Sequence, residues 1–345
     1  MYKASLVTSP YYYKNRIFNI EDPIVNRDNH LYVYWLLKKE LQNRGIVIAT
    51  SDIHKPQDSH VVIYMDIPKH LPKKNEFNKS ILIINEVAVV KPANWQIKNH
   101  KYFSKIFTFC DDIIDNKKYF KLNSCRSFNK TVPINISKKT KFCTMISGNK
   151  SSKHPLELYS KRLEAVNWFA SQHPDDFDFY GLGWDKKNFT GISRPLNRIP
   201  FARKFFAEKY PTWKGPIHNK YETLSKYKFS ISFENARGIN GYVTGDKIFD
   251  PMEAGCIPIY WGAPNIEKYV PKNCFISMED FKNWGDLYFY IKNMPQLEYL
   301  NYLDNIKYYI ENVARTGPYS EHGFLKAILP IIENIILISN AAGLK

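Results

Sequence analysis

The chain of 345 residues is long enough for two domains of ordinary size, and its 44% hydrophobic content permits a real core and excludes a disordered chain. A formal net charge of +16 favours anionic partners: nucleic acid, anionic lipid headgroups, or a nucleotide-sugar with a lipid-diphosphate acceptor. The lysines are dispersed, with short clusters such as Lys73-Lys74 and Lys138-Lys139, so a Lys- and Asn-rich background composition accounts for the charge equally well. Five cysteines without CxxC spacing exclude a disulfide framework and a zinc ribbon, and fit reduced, mostly buried thiols. The N-terminus carries no apolar run of signal-peptide length, and no stretch of about 20 apolar residues marks a membrane span.

Along the chain, Ala4 to Thr8 reads as a first strand. His30 to Asn43 has the spacing of a helix that buries Leu31, Tyr34, Trp35 and Leu41 and ends at Gly45. Ile46 to Thr50, His60 to Met65, Ile81 to Ile84 and Lys105 to Phe109 follow as short apolar runs at helix-length separations, the pattern of a parallel sheet with crossovers. A polar stretch from Val132 to Lys141, with Pro133, separates this set from a second. That second set comprises a strand from Lys141 into a polar loop, a helix from Pro155 to Ala170, and a strand from Phe177 to Tyr180. A loop-like basic stretch from Pro195 to Pro216, a short helix from Tyr221 to Lys226 and a strand from Phe229 to Phe233 come next. Helices near Met278 to Asn293 and Gln296 to Val313 follow, then an apolar helical segment from Gly323 to Asn340 with Pro330 near a break.

The most informative stretch is Phe229 to Ile276, which reads as strand, glycine-containing loop, helix, strand, loop, strand. Gly238, Gly241 and Gly245 lie in the loop, and Thr244, Asp246 and Lys247 at the first helical turn. A loop entering a helix N-terminus beside a lysine can hold a diphosphate. Phe233-Glu234-Asn235, Gly241-Tyr242-Val243-Thr244, Lys247-Ile248-Phe249-Asp250 and Ile257-Pro258-Ile259-Tyr260-Trp261-Gly262 closely resemble the donor-binding signature of family 10 glycosyltransferases, the α-1,3/α-1,4-fucosyltransferases. The resemblance is tight over about residues 225 to 280 and looser from about 80 to 180. It implies an α/β fold of GT-B type, two Rossmann-like domains facing a cleft. The expected organisation is an acceptor-side domain over 1–135 and a GDP-sugar-binding domain over 136–315. A helical segment over 316–345 is expected to pack back on the protein, its rival being an interfacial helix.

Sugar transfer from a nucleoside diphosphate must neutralise the leaving group, deprotonate the acceptor hydroxyl and hold the oxocarbenium-like sugar in line. Lys247 is the leading cation for the diphosphate, helped by the N–H groups around Thr244 to Lys247. The resemblance adds Arg162, in the helix SKRLEAVNWF, as a second cation. Ser147, Asn149 and Lys150, in a polar loop after a strand, could also touch phosphate. The family holds the ribose with an acidic residue in T-E-K; here the letters are Thr244-Gly245-Asp246-Lys247, with a shorter carboxylate and one extra residue. Tyr242 and Asn235 match positions that contact the nucleotide, and Glu234 lies beside them as a donor-site residue or a loop-closing acceptor.

For the proton, Glu86 ends an apolar strand, where a carboxylate is seldom placed without purpose, and the family sets its catalytic Glu in a similar spot. His54, His60 and His100 are weaker candidates. Asp176-Phe177-Asp178 has the letters of a metal-binding D-x-D, but GT-B enzymes hold the diphosphate with protein cations, so no metal or other cofactor is expected to be essential. No phosphate-binding P-loop and no nucleic-acid-binding signature is present, so no nucleic-acid partner is expected.

The sequence therefore reads as an inverting fucosyltransferase using GDP-β-L-fucose and a glycan or lipid-linked oligosaccharide acceptor containing GlcNAc or Gal. The Thr-Gly-Asp-Lys departure keeps open another GDP-linked sugar, in lipopolysaccharide or capsule synthesis; a non-catalytic glycan- or nucleic-acid-binding protein is the remaining alternative. Animal members of the family carry a Golgi anchor, and none is read here. The expected setting is bacterial-type or viral and cytoplasmic, with room for peripheral contact at the inner face of a membrane.

Overall fold

The computed structural model describes residues 1–341 apart from 129, 130, 133, 188, 190 and 218. Pro133, in the expected inter-domain stretch, lies outside the described residues. The chain divides into one unit of Met1–Phe128, Asn240–Gly245 and Asn312–Lys345, and a second of Asn129–Ile239 and Asp246–Glu311. The six residues Asn240–Gly245 join the first unit although the second flanks them in sequence, a detour that no shift in composition announces.

In the first unit, strands β1 (Tyr2–Val7), β2 (Ile46–Thr50), β3 (Val61–Met65), β4 (Ser80–Ile84), β5 (Lys105–Thr108) and β6 (Tyr119–Lys121) form one sheet in the order β2-β1-β3-β4-β5-β6. Every pairing is parallel. β3 and β4 are buried on both faces, as expected of runs such as VVIYM and SILII that alternate no polar residues. Helix α1 (Tyr32–Asn43) buries Val33, Leu37 and Leu41, and Leu31 just before it. Tyr34, expected on that buried face, packs against the same core though partly exposed, whereas Trp35 is only partly covered and is not part of that core, because the 3.6-residue period runs from Val33 through Leu37 to Leu41. Helix α2 (Ile97–His100) is a single turn.

In the second unit, β7 (Lys141–Ile146), β8 (Phe177–Tyr180), β9 (Tyr227–Phe233), β10 (Ile257–Trp261) and β11 (Ile276–Ser277) form a second parallel sheet, ordered β11-β10-β9-β7-β8. Its helices are α3 (Tyr159–Gln172), α4 (Pro200–Phe205), α5 (Lys220–Leu224), α6 (Gly245–Glu253, from the junction onward), α7 (Trp284–Lys292) and α8 (Gln296–Tyr309). The Pro195 to Pro216 stretch is not all loop. A 3-10 segment, Gly191–Arg198, precedes α4, which Pro200 starts at a position where a missing N–H costs nothing. α7 begins only at Trp284, where the Asn283 side chain caps it by accepting the Asp286 N–H.

The closing helix α9 (Glu321–Ala341) belongs to the first unit and runs through Pro330. Pro330 faces solvent, so water can satisfy the carbonyl it strands. Phe324, Ile328, Ile332, Ile335 and Ile336 join the core of β1, β2, β3 and α1, each such burial contributing at most about 1.5–3 kcal/mol. None of the described helices is long and apolar enough to cross a membrane.

Candidate active site

In an open parallel sheet, ligands bind beyond the carboxyl ends of the strands, where successive connections leave to opposite sides. In the second sheet that point lies at β7, which has β8 on one side and β9 on the other. The loops that part there begin at Ser147 after β7 and at Glu234-Asn235 after β9. Arg162, on α3, ties them together. Its Nη1 donates to Ser147 Oγ at 3.2 Å, and its Nη2 to the Phe233 carbonyl at 2.6 Å and Asn235 Oδ1 at 3.1 Å. The residue is only 4% exposed, and its guanidinium lies over the Tyr159 ring at 5.2 Å. Arg162 is therefore no solvated surface arginine.

A cavity of about 210 Å³ opens beside it, lined by Asn149, Lys150, Tyr159, Arg162, Trp184 and Tyr210 among others. The Ser147-to-Lys150 loop is fixed by Trp184 Nε1, which donates to the Ser147 carbonyl at 2.7 Å, and by Asn149, whose N–H bonds the Leu182 carbonyl at 3.0 Å. Gly181 must be glycine: φ is +144°, and an added Cβ would lie 1.9 Å from the Ser147 carbonyl oxygen.

Lys247 sits in the first turn of α6, its side chain 20% exposed, 3.2 Å from the half-exposed carboxylate of Asp246. Burial lowers its pKa from the ordinary lysine value. The Arg162 and Lys220 charges push it the same way, while Asp246 and Glu234 pull it back up. Lys247 and Lys220 line one recess with Ile146 of β7 and Ser232 of β9, and Arg162 holds the loops that leave the ends of the same two strands. Lys220 also pairs with Asp250 at 2.9 Å. Lys220, Asp246, Lys247 and Asp250 line a small recess of about 30 Å³ with Ser232. Glu234 is fully buried behind this group, 3.5 Å from the Tyr260 hydroxyl that donates to it.

Three residues expected at the site lie in the first unit. Tyr242 and Thr244 belong to the Asn240–Gly245 segment. Tyr242 is 2% exposed and packs on Phe109, ring centroids 4.9 Å apart. Tyr242 and Thr244 line, with Asn85 and Asn123, a recess of about 80 Å³. The segment is pinned within that unit. Asp111 N–H bonds the Asn240 carbonyl at 3.0 Å, Asn240 Nδ2 donates to Asp112 at 2.8 Å, and Arg126 Nη1 donates to the Gly245 carbonyl at 2.7 Å. Gly241, at φ +79°, has no room for a Cβ, which would meet the Phe109 carbonyl at 2.4 Å.

Glu86 follows β4, and its backbone is clamped. Asp66, just after β3, accepts the N–H groups of Asn85 at 2.8 Å and Glu86 at 3.2 Å, and Asn94 Nδ2 at 2.7 Å, all on one carboxylate oxygen. The Glu86 carbonyl accepts from Asn94 Nδ2 at 3.1 Å and Trp95 Nε1 at 3.0 Å. Glu86 as a whole is partly buried. The three histidines each spend a ring nitrogen on the backbone. His100 is buried, which lowers its pKa, and its Nε2 lies 2.6 Å from the Asn94 carbonyl; His54 Nδ1 lies 3.0 Å from the Ala4 carbonyl, and His60 Nδ1 accepts the Lys3 N–H at 3.1 Å.

The family model for glycosyltransferase family 10 (fucosyltransferase), C-terminal part, matches residues 136–316, more than half of the chain. The chain belongs to glycosyltransferase family 10. It is 39% identical over 108 residues to alpha-(1,3)-fucosyltransferase FucT of Helicobacter pylori, a match covering 28% of this chain and 22% of that protein. It is 35% identical over 116 residues to alpha-(1,4)-fucosyltransferase of Arabidopsis thaliana, covering 33% and 27%. The chain thus spans about a quarter of the length of these curated relatives. A crystal structure of an alpha1,3-fucosyltransferase with GDP-fucose superposes with a TM-score of 0.53 at 18% identity, over 96% of this chain and 90% of that one. The likeness gives this family 10 chain the GT-B fold.

The sequence missed Lys220, Asp66 and Asn94, since none stands in a motif; only the sheet topology brings them to strand ends. In this family member the D-x-D aspartates are held by lysines and tyrosines: Asp176 by Lys292 and Tyr288, Asp178 by Lys141, Lys214 and Tyr227. These contacts lower both carboxyl pKa values against the opposing effect of burial, which is the largest single influence on each.

Proposed function

We propose that this chain is an inverting fucosyltransferase that moves L-fucose from GDP-β-L-fucose to a hydroxyl of a glycan or lipid-linked oligosaccharide. The observation that carries the reading is the buried Arg162 at the topological switch of the second sheet, with Lys247 and Lys220 lining a recess at the ends of the same strands. Such a preformed group is matched to a leaving diphosphate, because it is already desolvated and needs no reorganisation when charge develops. The α6 start at Asp246 and Lys247 adds N–H groups of the kind that bind phosphate. Asp246, half exposed beside Lys247, is the carboxylate we assign to the ribose hydroxyls, and Asn235, Glu234, Ser147, Asn149 and Lys150 complete the donor side.

In this reading Glu86 accepts the acceptor proton as the sugar–phosphate bond breaks and the new glycosidic bond forms, leaving GDP with both electrons of the broken bond. Protein cations carry the diphosphate charge, so the reaction needs no divalent metal. A GDP-fucose-bound neighbour and family membership support the donor assignment. The Thr244-Gly245-Asp246-Lys247 departure favours, as a second reading, another GDP-linked sugar. Calorimetry with GDP, UDP, GDP-fucose and GDP-mannose separates the two. Preference for GDP-fucose supports the first, GDP binding without it the second, and absence of GDP binding rejects both.

A further inference from the structure

The stretch from Ile192 to Lys209 exposes large apolar side chains in a way no other part of the described chain does. Phe201 is 77% exposed, Phe205 71% and Phe206 56%, with Ile192 and Ile199 also in solvent. Phe201 and Phe205 stack at 6.0 Å, and Phe205 meets Phe206 edge-on at 5.1 Å, so the three rings form one patch. By sequence the stretch holds five basic residues against one acid, Glu208, a formal charge of +4, and Arg198, Arg203, Lys204 and Lys209 are among its described side chains. That acid is already paired with Lys187.

We propose that this patch docks the protein on an anionic lipid bilayer, the phenylalanines entering the headgroup–acyl boundary and the flanking arginines and lysines meeting the headgroups. Exposed aromatics on a stretch of net positive charge suit that interface, where aromatic rings sit at headgroup level and basic side chains meet anionic lipid. The patch is also fixed to the donor-side cavity. Lys187 N–H bonds the Arg203 carbonyl at 2.7 Å, Arg203 Nε returns a bond to the Lys187 carbonyl at 3.1 Å, and Lys187 and Tyr210 line the 210 Å³ cavity. A bilayer bound there lies beside that cavity. The docking itself does not depend on the donor assignment.

The test is co-flotation of the full chain with vesicles of phosphatidylcholine alone or with about 30% phosphatidylglycerol, which adds a negative surface potential. Phe201→Ser/Phe205→Ser/Phe206→Ser should weaken binding to the anionic vesicles about 30-fold or more. Arg198→Gln/Lys204→Gln/Lys209→Gln should weaken it by roughly 100-fold while leaving a weak, salt-insensitive remainder. Phe289→Ser/Leu297→Ser, which removes exposed apolar side chains elsewhere on the same unit, should change nothing. Unaltered unfolding temperatures establish that the variants fold. Failure of the wild type to float, or undiminished flotation of the phenylalanine variant, overturns the proposal. So does a wild-type dimer in solution that the phenylalanine variant dissociates.

Discussion

Lys247→Met separates a functional cation from a structural one. The side chain is mostly buried, burial lowers its pKa, and Arg162 and Lys220 repel it. A lysine whose folded pKa lies below its unfolded value costs the native state stability at neutral pH, and the cost disappears only as pH rises from the folded value to the ordinary one. The lost pair with half-exposed Asp246 offsets this by less than about 1 kcal/mol. Met keeps the length of the stem, so the ligand-free protein should melt at the same temperature or higher. GDP binding should suffer: losing a charge-assisted bond to a diphosphate costs about 1.5–3 kcal/mol, or roughly 10- to 150-fold in affinity. At a GDP concentration of about 100 times the wild-type Kd, wild type gains about 2.7 kcal/mol, which is about 5–11 °C in a unit of this size. A variant weakened about 100-fold gains about 0.4 kcal/mol, or about 1 °C. Thermal shift with and without GDP reads both numbers. The wild-type GDP shift should also shrink as pH climbs through the lowered Lys247 value, below the range where an exposed lysine loses its proton. An undiminished GDP shift in Lys247→Met, or a drop of several degrees without ligand, would refute the reasoning.

Glu86→Gln should lower transfer by at least about 100-fold while leaving the GDP shift intact; full activity in a coupled GDP-release assay removes Glu86 from the proton step. Asp66→Ala strips the acceptor from three donors, costing about 2–4 kcal/mol in urea unfolding and lowering kcat with KM for the donor unchanged. Asp66→Asn should restore both, since Asn accepts at the same atom and tolerates φ +62°; equal defects in the two variants would show that the clamp is not what positions Glu86. Arg162→Lys cannot bridge Ser147, Phe233 and Asn235 together, so it should lose GDP binding and about 3–5 kcal/mol of stability, a combination that a merely structural arginine replaced by lysine would not show in the binding arm. Transfer should persist in excess EDTA, and its loss with restoration by a divalent cation would contradict the metal-free reading.

Much of the fold is legible because buried parallel strands announce themselves. VVIYM, ILII and KIFT have no polar alternation, and helix-length spacers leave parallel pairing as the economical arrangement. What was misread has physical causes. Trp35 is as apolar as Val33 and Leu37, and only packing, against a core that includes α9 nearly 290 residues later in sequence, leaves it outside while Tyr34 meets Phe324. α4 hides in a Pro- and Arg-rich stretch because Pro200 marks a helix start as readily as a break.

The donor signature shows the sharper limit. Its four pieces follow in one order between Phe233 and Gly262, and that order invites the view that they make one surface. In the structure Asn235 and Lys247 belong to one unit, while Tyr242 and Thr244, lying between them in sequence, belong to the other. Tyr242 is spent on Phe109 and Gly241 on a close approach to the Phe109 carbonyl, so these two letters are accounted for by packing before any ligand is considered. The extra glycine before Asp246 then has a physical context: Gly245 is the last residue of the segment held in the first unit, its carbonyl taken by Arg126, and Asp246 is the first residue of the second. An insertion there lengthens the chain where it passes from one unit to the other, and leaves Lys247 in the first turn of α6, within electrostatic reach of Arg162 and Lys220. The departure from the family's spacing therefore bears on Asp246 and the ribose side of the donor more than on the cations that would face the diphosphate.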